Sequence, residues 1–503
     1  MKRNISIFTQ NIYDVLIIGG GINGAAVAHM AAMNGLKTAL LEKGDFASGT
    51  SSKTTKLIHG GLRYLENLEF GLVRESLRER FIQFKSSPHL VKPLRFVIPV
   101  YRTDRRPLRL MKLGVWLYDW LSGPYSIGKH QFLSPQEIVD LVPDIKKEDL
   151  SGGIVYYDAQ MNDARLCLEN ILSADKEGAH AANYVEVKSL IKENGISVGV
   201  IACDVLTGDI FEVRAEKIVC TVGPWTNIFR EKDEKLPIPR MRTTKGVHVV
   251  YEEKLADCGI LLQTEKDRRI FFVLPWMGHS LIGTTDTDFA GDPGSIEAAE
   301  EDIDYLMNEA RLAFPKINFR KERILTAFAG LRPLVREEGS PSKISRKHLI
   351  EESSSGVIYV MGGKYTTYRK IAEDCLRRVT SKKLFNTRLK FPLYGSGEIE
   401  DDSSRLSQKY NLSRETIRYL ADLYGAKYKD VLILIEKDPE LGKPLCCCSP
   451  AIRAQVIYAI QTEMAAREED IFDRRLGLVY TSCEDRECFK EIQRIRGNKK
   501  GHL

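Results

Sequence analysis

The chain has 503 residues, of which 43% are hydrophobic and 28% charged, and its formal net charge is +6. This composition excludes a disordered chain and predicts a folded body of two or three packed units, because compact domains usually hold roughly 100 to 200 residues. The modest charge gives no indication of nucleic-acid binding, although it suits a phosphorylated substrate or an anionic lipid surface.

The amino-terminal segment predicts a strand, a glycine turn and a helix. An apolar run at 13–18 passes into GGGING at 19–24 and then into alanine-rich sequence. A second apolar run at 37–41 ends in Glu42, about 18 residues beyond the last glycine. This arrangement is typical of a dinucleotide site, with Gly19, Gly21, Asn23 and Gly24 at the pyrophosphate and the acid at a ribose. An acid there favours FAD or NAD over a 2′-phosphorylated dinucleotide.

A polar loop and a pair of glycines follow this unit. Residues 49–56 carry hydroxyls and amines, and we expect this loop to reach the pyrophosphate. The sequence IHGGLRYL at 58–65 lets a flat ring system approach the backbone at the paired glycines. The residues of this region predicted to contact the cofactor are Glu42, Lys43, Thr50, Ser51, Ser52, Lys56, His59, Gly60 and Gly61.

Residues 102–121 mix basic and apolar side chains, including two tryptophans. In a helix, Arg105, Arg109, Lys112 and Asp119 form one narrow polar stripe beside a broad apolar surface. This pattern predicts a helix lying in an anionic membrane interface, with an ordinary buried helix as the alternative. No stretch of the sequence reaches the roughly 20 apolar residues that a membrane span requires.

Further strands and glycine turns occur later in the chain. Strands are predicted at 246–251, 269–274 and 280–284, separated by polar turns, and together they predict an antiparallel sheet. Apolar runs also precede Gly223 and the pair Gly362 and Gly363, and the second of these turns leads into a helix. Past about residue 390 the pattern becomes helical.

Five strings resemble the FAD-dependent glycerol-3-phosphate dehydrogenases and occur in that family's order. The resemblance covers residues 12 to about 380, and the carboxyl-terminal part resembles the family's helical cap more loosely. The strings are SSKTTKLIHGGLRYLE (51–66), VGPWTN (222–227), GTTDTD (283–288), AGLRPL (329–334) and GGKYTTYRKIAE (362–373).

The resemblance implies an α/β fold with a discontinuous Rossmann-like FAD-binding domain of the glutathione-reductase or amino-acid-oxidase type. An interleaved antiparallel sheet forms the substrate domain, and a helical domain ends the chain. The expected FAD-dependent oxidoreductase region is 12–385, with FAD-binding segments at about 12–90, 150–230 and 325–385. Its substrate-binding segments are about 91–149 and 231–324, and the helical domain is 390–503.

The implied reaction oxidises sn-glycerol 3-phosphate to dihydroxyacetone phosphate. It requires FAD as hydride acceptor, a base for the hydroxyl proton and fixed cations for the phosphate. His59 and His248 are both candidates for the base, since histidine titrates near working pH, and the sequence leaves the choice open.

The remaining predicted site residues surround the substrate and the later glycine turns. Thr285 and Asp286 either contact the flavin or substrate hydroxyls or cap a turn. Residues predicted to bind substrate are Arg63, Tyr64, Arg332, Arg346, Lys364, Thr285 and Asp286, with Arg332 also counted as catalytic. Gly223, Gly362, Gly363, Lys364 and Thr366 are predicted to contact FAD.

The family's dehydrogenases pass electrons to a membrane quinone, while related oxidases carry an extra insertion that this sequence lacks. We therefore expect a quinone acceptor and a cytoplasmic protein held at the inner face of the cell membrane. A homodimer is compatible with this expectation. A glycerol-3-phosphate oxidase using oxygen, an amine or amino-acid oxidase of the same fold and a non-catalytic flavin-binding membrane scaffold are the alternatives.

The sequence contains ten cysteines, with one cluster at Cys446–Cys448. The cysteines lack paired metal-ligand spacing, and three contiguous cysteines do not form a tetrahedral zinc site by themselves. We expect buried or reduced structural cysteines in a reducing cytoplasm, and no metal site is predicted.

Overall fold

The structure is a computed structural model that describes residues 1–65, 68–104, 106–234, 240–336, 347–384, 391–399, 402–483 and 486–499. Its strands are β1 (Ile12–Ile18), β2 (Thr38–Leu41), β3 (Leu57–Ile58), β4 (Val91–Tyr101), β5 (Gln131–Leu133), β6 (Leu150–Met161), β7 (His180–Ala182), β8 (Val185–Glu193), β9 (Ile196–Asp204), β10 (Ile210–Cys220), β11 (Met241–Tyr251), β12 (Gly259–Gln263), β13 (Ile270–Trp276), β14 (His279–Gly283), β15 (Thr287–Asp288), β16 (Ile324–Val335), β17 (His348–Glu352) and β18 (Val357–Gly362).

The helices divide between the two sheets and a carboxyl-terminal bundle. They are α1 (Ser6–Thr9), α2 (Ile22–Met33), α3 (Phe70–Ser86), α4 (Leu108–Ser122), α5 (Pro135–Leu141), α6 (Asp163–Lys176), α7 (Thr226–Glu234), α8 (Glu300–Ala313), α9 (Tyr368–Val379), α10 (Ser403–Tyr410), α11 (Arg414–Tyr424), α12 (Tyr428–Lys437), α13 (Arg453–Thr462) and α14 (Glu487–Lys499).

The first sheet has the order β17-β18-β10-β1-β2-β7, with β9 pairing on β10 and β8 on β9. β1 pairs in parallel with β2 and β10, and β10 pairs in parallel with β18. The carboxyl ends of these strands meet at one edge, where their glycine turns lie side by side. This is the predicted Rossmann-like unit, assembled from segments far apart in the chain.

Helix α2 lies against this sheet together with α6 and α9. The alanine-rich sequence of α2 leaves its residues 24–32 buried, as expected for a helix enclosed by protein on all sides. Val27, Leu166 and Ile371 belong to one apolar core and are each 0% exposed. The small alanine side chains allow the neighbouring helices and the sheet to approach closely.

The second sheet has ten strands in the order β15-β11-β14-β13-β12-β4-β6-β3, with β16 pairing on β11 and β5 on β6. β11, β14 and β13 pair antiparallel, as predicted for the three strands at 246–251, 269–274 and 280–284. Helix α8 packs beneath this sheet through Leu306 and Met307, both 0% exposed. The interleaved antiparallel domain is thereby confirmed.

The predicted segment boundaries differ from the sheets at three points. β3 lies in the predicted FAD-binding segment 12–90, yet it pairs antiparallel with β6 in the second sheet. β6 was assigned to the FAD-binding segment 150–230, yet it pairs antiparallel with β4 from Met161 to Leu150. β16 was assigned to the segment 325–385, yet it pairs with β11 along nearly its whole length. All three strands belong to the second sheet because strand pairing with a distant partner, which local sequence does not reveal, decides the sheet.

Helices α10 to α14 form a carboxyl-terminal domain with its own apolar core, which includes Leu420, Ile457 and Ile492. Buried ion pairs join it to the first sheet. Arg165 of α6 lies 2.6 Å from Glu463, and both side chains are almost fully buried. The helical domain is therefore attached through charges that are excluded from water.

Candidate active site

A cavity of about 1590 Å³ lies between the two sheets and extends from the turn after β1 to helix α4. Residues from both sheets line it. Gly21, Asn23 and Glu42 are at one end, and His248, Arg332 and Lys364 line it elsewhere. The fold therefore brings the predicted dinucleotide residues and several predicted substrate residues to one enclosed space.

The first glycine turn has the geometry that a bound pyrophosphate requires. Gly19 has φ +106°, a conformation that side chains disfavour, and a Cβ on Gly24 would lie 1.9 Å from the Gly19 carbonyl oxygen. A Cβ on Gly21 would lie 3.2 Å from the Ser51 hydroxyl, on the cavity side. Helix α2 begins at Ile22, so its N–H groups and dipole are directed at the space in front of these glycines. These residues fit a dinucleotide.

Glu42 follows β2 and lines the cavity, as predicted for the acid that binds a ribose. Its carboxylate accepts hydrogen bonds from the backbone N–H of Gly20 at 2.6 Å and of Gly44 at 2.8 Å. Burial raises the pKa of this carboxyl against the opposing effect of those two donors. Lys43 also lines the cavity, with Nζ 3.9 Å from the centre of the Trp225 ring.

Only some of the predicted cofactor residues in the polar loop at 49–56 line the cavity. Thr50 and Ser51 line it, and the Ser51 hydroxyl accepts a hydrogen bond of 2.9 Å from the Ile22 N–H. Ser52 and Lys56 are buried behind the wall instead. The Lys56 ammonium lies 2.7 Å from Asp163 Oδ1 and donates to the Ser52 carbonyl at 2.6 Å. We therefore correct both from cofactor contacts to supports of the loop.

The two paired glycines, Gly60 and Gly61, have different surroundings. Gly61 lines the cavity with φ +80°. Gly60 does not: its N–H donates to Asp158 Oδ1 at 3.0 Å, and a Cβ there would lie 2.2 Å from the Tyr118 hydroxyl of α4. The prediction that Gly60 contacts the cofactor is corrected, because that glycine is required for close packing against α4.

The later glycine turns also belong to the cavity wall. Gly223, Gly362 and Gly363 all line it with positive φ. The Thr366 hydroxyl accepts a hydrogen bond of 3.2 Å from the His59 N–H, and both residues line the cavity.

Lys364 and Tyr64 stand together on the cavity wall. The Lys364 ammonium lies 4.2 Å from the centre of the Tyr64 ring and donates to the Ser76 hydroxyl at 2.6 Å. A cation held over an aromatic ring in a cavity is suited to an anionic ligand.

His248 lies on β11, where its ring stacks on Phe328 of β16 with centroids 5.1 Å apart. Its Nε2 lies 3.0 Å from the Thr55 hydroxyl, and its Nδ1 has no hydrogen-bond partner among the described residues. Burial lowers the pKa of the imidazole well below 6.5, and the positive charges of Arg332 and Lys56 lower it further. The ring is therefore neutral at working pH and able to accept a proton.

Arg332 lies on β16, the strand that also carries Phe328, and it lines the cavity. Its guanidinium donates to Asp286 Oδ1 at 2.8 Å, to the Thr284 hydroxyl at 2.9 Å and to the Thr285 carbonyl at 3.2 Å. These contacts fix the fork in one orientation while 26% of the side chain stays exposed. A fixed, partly exposed guanidinium is suited to binding phosphate oxygens.

Among the described residues, one other predicted substrate residue, Thr285, does not line the cavity. The Thr285 hydroxyl accepts from the Val247 N–H at 2.9 Å, and the residue is buried behind the wall, so its predicted ligand contact is corrected to a backbone support. The Arg63 side chain and the whole of Arg346 lie outside the described residues.

Sequence reasoning missed residues that hold the predicted ones in place. Thr55 orients His248 from 193 residues away, and Thr284 orients Arg332. Arg269 also lines the cavity and donates to the Asp286 carbonyl at 2.8 Å. Thr55 and Thr284 lie inside the motifs SSKTTK and GTTDTD, so motif membership was the available signal, but their partners became visible only in the fold.

Helix α4 closes one side of the cavity with Leu110, Leu113 and Leu117. The helix carries an exposed apolar stripe, defined as Leu110, Leu113, Trp116 and Trp120, whose exposures are 54%, 59%, 55% and 68%. The two leucines of the stripe line the cavity, and the two tryptophans lie outside it. A buried helix would not present this stripe to solvent, so the alternative of an ordinary buried helix is not supported. Arg105 of the predicted polar stripe lies outside the described residues. Within the described part of the chain, every helix is too short or too polar to cross a bilayer.

Two family profiles together match most of the chain. Residues 14–369 match the family described as FAD dependent oxidoreductase, and residues 387–501 match the C-terminal domain of alpha-glycerophosphate oxidase. The glycerol-3-phosphate dehydrogenase of Synechocystis sp. is 39% identical over 500 residues, which cover 95% of this chain and 90% of that protein. The aerobic glycerol-3-phosphate dehydrogenase of Bacillus subtilis is 36% identical, covering 95% of this chain and 89% of that protein.

Among solved structures, the glycerol-3-phosphate dehydrogenase of Bacillus halodurans complexed with FAD superimposes with a TM-score of 0.82 at 30% identity. The match covers 99% of this chain and 92% of that one. It therefore includes both sheets and the helical domain.

Proposed function

This chain belongs to the FAD-dependent oxidoreductase family, with FAD as its cofactor, and on that premise we propose that it oxidises sn-glycerol 3-phosphate to dihydroxyacetone phosphate. The observation that carries the proposal is the position of Arg332 and His248 on one wall of the cavity that the glycine turn of β1 also enters. A phosphate-binding cation and a neutral base at one cavity are what this reaction requires.

The residues divide the work of the reaction. FAD, when bound, supplies the acceptor for the hydride that leaves the secondary carbon of the substrate. Arg332 supplies a positive charge for the phosphate, and Asp286 and Thr284 fix the orientation of its guanidinium. His248 accepts the hydroxyl proton, and the Thr55 hydroxyl, 3.0 Å from Nε2, orients its ring. Loss of that proton together with the hydride converts the alcohol carbon to a ketone.

Lys364 supports the same substrate charge from another part of the wall. Its ammonium is fixed over the Tyr64 ring and by the Ser76 hydroxyl, so a phosphate meets a preorganised cation. Such preorganisation lowers the cost of binding, because the side chain is ordered before the substrate arrives.

The test is anaerobic mixing of the purified protein with glycerol 3-phosphate, and separately with glycerol, while the visible absorbance of the bound FAD is followed. We expect the phosphate ester alone to bleach the absorbance. If a protein that retains FAD is bleached by neither compound, the substrate proposal fails, and an amino acid that bleaches it would make the amino-acid oxidase the better assignment.

We further propose that the electrons pass to a quinone, with the protein held peripherally at the inner face of the cell membrane. The exposed apolar stripe of α4 supports this, because tryptophans and leucines on one face of a helix suit the headgroup boundary of a bilayer. Leu110 and Leu113 also line the cavity, so an apolar acceptor leaving the bilayer meets the cavity at this helix.

A reoxidation experiment tests this second proposal. After anaerobic reduction by glycerol 3-phosphate, the protein on anionic liposomes is mixed with a quinone or with oxygenated buffer. We expect the quinone to restore the FAD absorbance at least about a hundredfold faster than oxygen, a difference of roughly 3 kcal/mol in activation free energy. Equal rates would identify an oxidase instead.

A further inference from the structure

The carboxyl-terminal domain brings four cysteine sulfurs together. The Sγ atoms of Cys446, Cys448, Cys483 and Cys488 all lie within 4.8 Å of one another. The distance from Cys448 Sγ is 3.0 Å to Cys446 and 3.6 Å to Cys488, and the Cys483 and Cys488 sulfurs are 3.3 Å apart. The expectation of buried or reduced structural cysteines is not met at Cys446 and Cys488, which the structure links as a disulfide, whereas Cys448 and Cys483 are free thiols.

We propose that these four cysteines form a tetrathiolate metal centre that nothing in the reaction at the cavity uses. A thiophilic metal bonded to sulfur at about 2.3 Å in a tetrahedron holds its sulfurs roughly 3.8 Å apart. The three non-bonded distances of 3.0, 3.3 and 3.6 Å approach this spacing, whereas Cys446 and Cys488, which are bonded to each other in the structure, reach it only in their reduced form. A disulfide accounts for two sulfurs only. It gives no reason for Cys448 and Cys483 to turn their thiols toward the same point.

The neighbouring cysteine of the cluster supports this reading. Cys447 lies between two of the ligands, and its thiol is exposed and outside the group. The chain therefore supplies ligands from a Cys-x-Cys pair and from a second pair, Cys483 and Cys488. The second pair has the Cys-x4-Cys spacing of known four-cysteine metal sites, so the prediction from sequence that the cysteines lack paired ligand spacing is corrected at this pair.

The surroundings also favour thiolate ligands. Cys488 lies in the first turn of α14, and its N–H donates to Cys483 Sγ at 3.3 Å. Backbone N–H groups at the start of a helix stabilise a thiolate, and hydrogen bonds to ligand sulfurs are part of the shell that supports a metal. Apolar side chains that include Ile492 enclose the site.

The shared chemistry is four thiolates around a soft metal, which either one zinc ion or an iron–sulfur cluster takes. The centre forms on newly synthesised, reduced cysteines, so no disulfide has to be broken. Each thiol releases its proton to solvent and its sulfur donates an electron pair to the metal. The centre would fasten α14 to the turn before α13 and so close the end of the helical domain.

The position also connects the centre to the cavity wall. Three residues before Cys483, the Tyr480 ring lies 6.0 Å from the ring of Phe328, on which His248 stacks. The Lys56 ammonium lies 5.2 Å from the same Tyr480 ring. Holding Cys483 in a metal centre therefore also restrains Tyr480, which packs against the Phe328 ring that supports His248.

The experiment uses the full-length protein purified with FAD under anaerobic, reducing conditions. Zinc, iron and acid-labile sulfide are measured per chain in the wild type and in the variants Cys448→Ser and Cys483→Ser, with Cys447→Ser as the matched control. We expect one metal centre per chain in the wild type and the control, and its loss in the two ligand variants. Zinc alone identifies a mononuclear site, whereas iron with labile sulfide identifies a cluster.

The two ligand variants separate the metal centre from a structural disulfide, because both leave Cys446 and Cys488 intact. Bound FAD serves as the measure of correct folding. Should the variants not fold, titration of the wild type with a mercurial thiol reagent must release the metal as four thiols react. A wild type with no stoichiometric metal, equal metal in all variants, or a complete Cys446–Cys488 disulfide in the anaerobic protein would overturn the proposal.

Discussion

The carboxylate of Asp45 accepts two hydrogen bonds from the guanidinium of Arg475, at 2.5 and 2.8 Å, across 430 residues of sequence. Both side chains are almost fully excluded from water. Asp45 lies three residues beyond Glu42, and Arg474 also donates to it at 2.6 Å. The loop at the ribose end of the cavity is therefore fastened directly to the helical domain.

Replacing Asp45 with Asn should lower the free energy of unfolding by about 3 kcal/mol or more, because Arg475 loses the carboxylate that it contacts and Arg474 keeps one carboxylate, Asp470, within hydrogen-bonding distance. Urea titration, followed by tryptophan and FAD fluorescence, measures it. Glu352→Gln is the control: its pair with Lys217 is about 40% exposed and contributes little. Equal effects of the two changes would contradict the special role of the buried pair.

The same pair predicts how stability depends on pH. Burial acts to raise the pKa of Asp45, but Arg475 and Arg474 outweigh it and hold that pKa at about 2. A lowered pKa means that the native state binds fewer protons than the unfolded chain, so this stabilisation is complete above the ordinary carboxyl range near 3.8. This stabilisation should be lost as the pH falls from about 4 toward 2. Between these pH values, the free energy of unfolding of Asp45→Asn should therefore depend less steeply on pH than that of the wild type.

Replacing Arg332 with Ala should leave the FAD spectrum intact and lower kcat/KM for glycerol 3-phosphate by roughly a hundredfold to a thousandfold, mostly through KM. The control is Arg242→Ala, since Arg242 pairs with the exposed Asp288 of β15 and does not line the cavity. Steady-state kinetics with a soluble dye acceptor measures both. An unchanged KM in Arg332→Ala would remove this residue from the phosphate site.

Replacing His248 with Asn should slow anaerobic FAD reduction by roughly 10² to 10⁴, with little change in substrate affinity, since a general base acts in the chemical step. His59→Asn is the comparison that decides between the two candidates. In the wild type, the burial that lowers the pKa of His248 places the acid limb of this rate below pH 6.5. Arg332→Gln should move that limb upward, because removing a neighbouring positive charge raises the pKa of the imidazole.

Replacing Trp116 and Trp120 together with Ser should weaken binding to anionic liposomes about tenfold or more, because both rings leave the interface. Neither tryptophan lines the cavity, so activity with the soluble dye should be unchanged. Ile196→Ser with Ile210→Ser removes comparably exposed apolar side chains elsewhere and serves as the control. Vesicle flotation measures binding, and equal losses in both pairs would argue against a specific membrane surface on α4.

Replacing Gly24 with Ala should abolish FAD binding or unfold the first sheet, because the new Cβ would meet the Gly19 carbonyl oxygen at 1.9 Å. Gly71→Ala in α3 has open space around the added carbon and should be neutral or slightly stabilising. The bound FAD per chain after purification measures the outcome. A Gly24→Ala protein with full FAD content would mean that the turn can widen without loss.

The sequence by itself determined the features that depend on neighbours in the chain. The glycine turn at 19–24, the acid at Glu42 and three strands of the second sheet, β11, β13 and β14, follow from local spacing and periodicity, because steric limits on the backbone and the alternation of strands act over a few residues. The motifs from SSKTTK to GGKYTTYRK were likewise enough to indicate the family and its cofactor. These motifs contain many of the residues that line the cavity, but the motifs alone do not show which of their residues line it.

Only the tertiary structure decided which side chains face the cavity and what holds them. Four residues of the predicted motifs do not line the cavity and are occupied in supporting contacts: Lys56, Ser52, Gly60 and Thr285. Thr55 meets His248 across 193 residues, and the cysteines of two distant segments converge in the helical domain. Such contacts depend on how whole sheets and helices pack, and a side chain's task is set by the partners that packing brings to it.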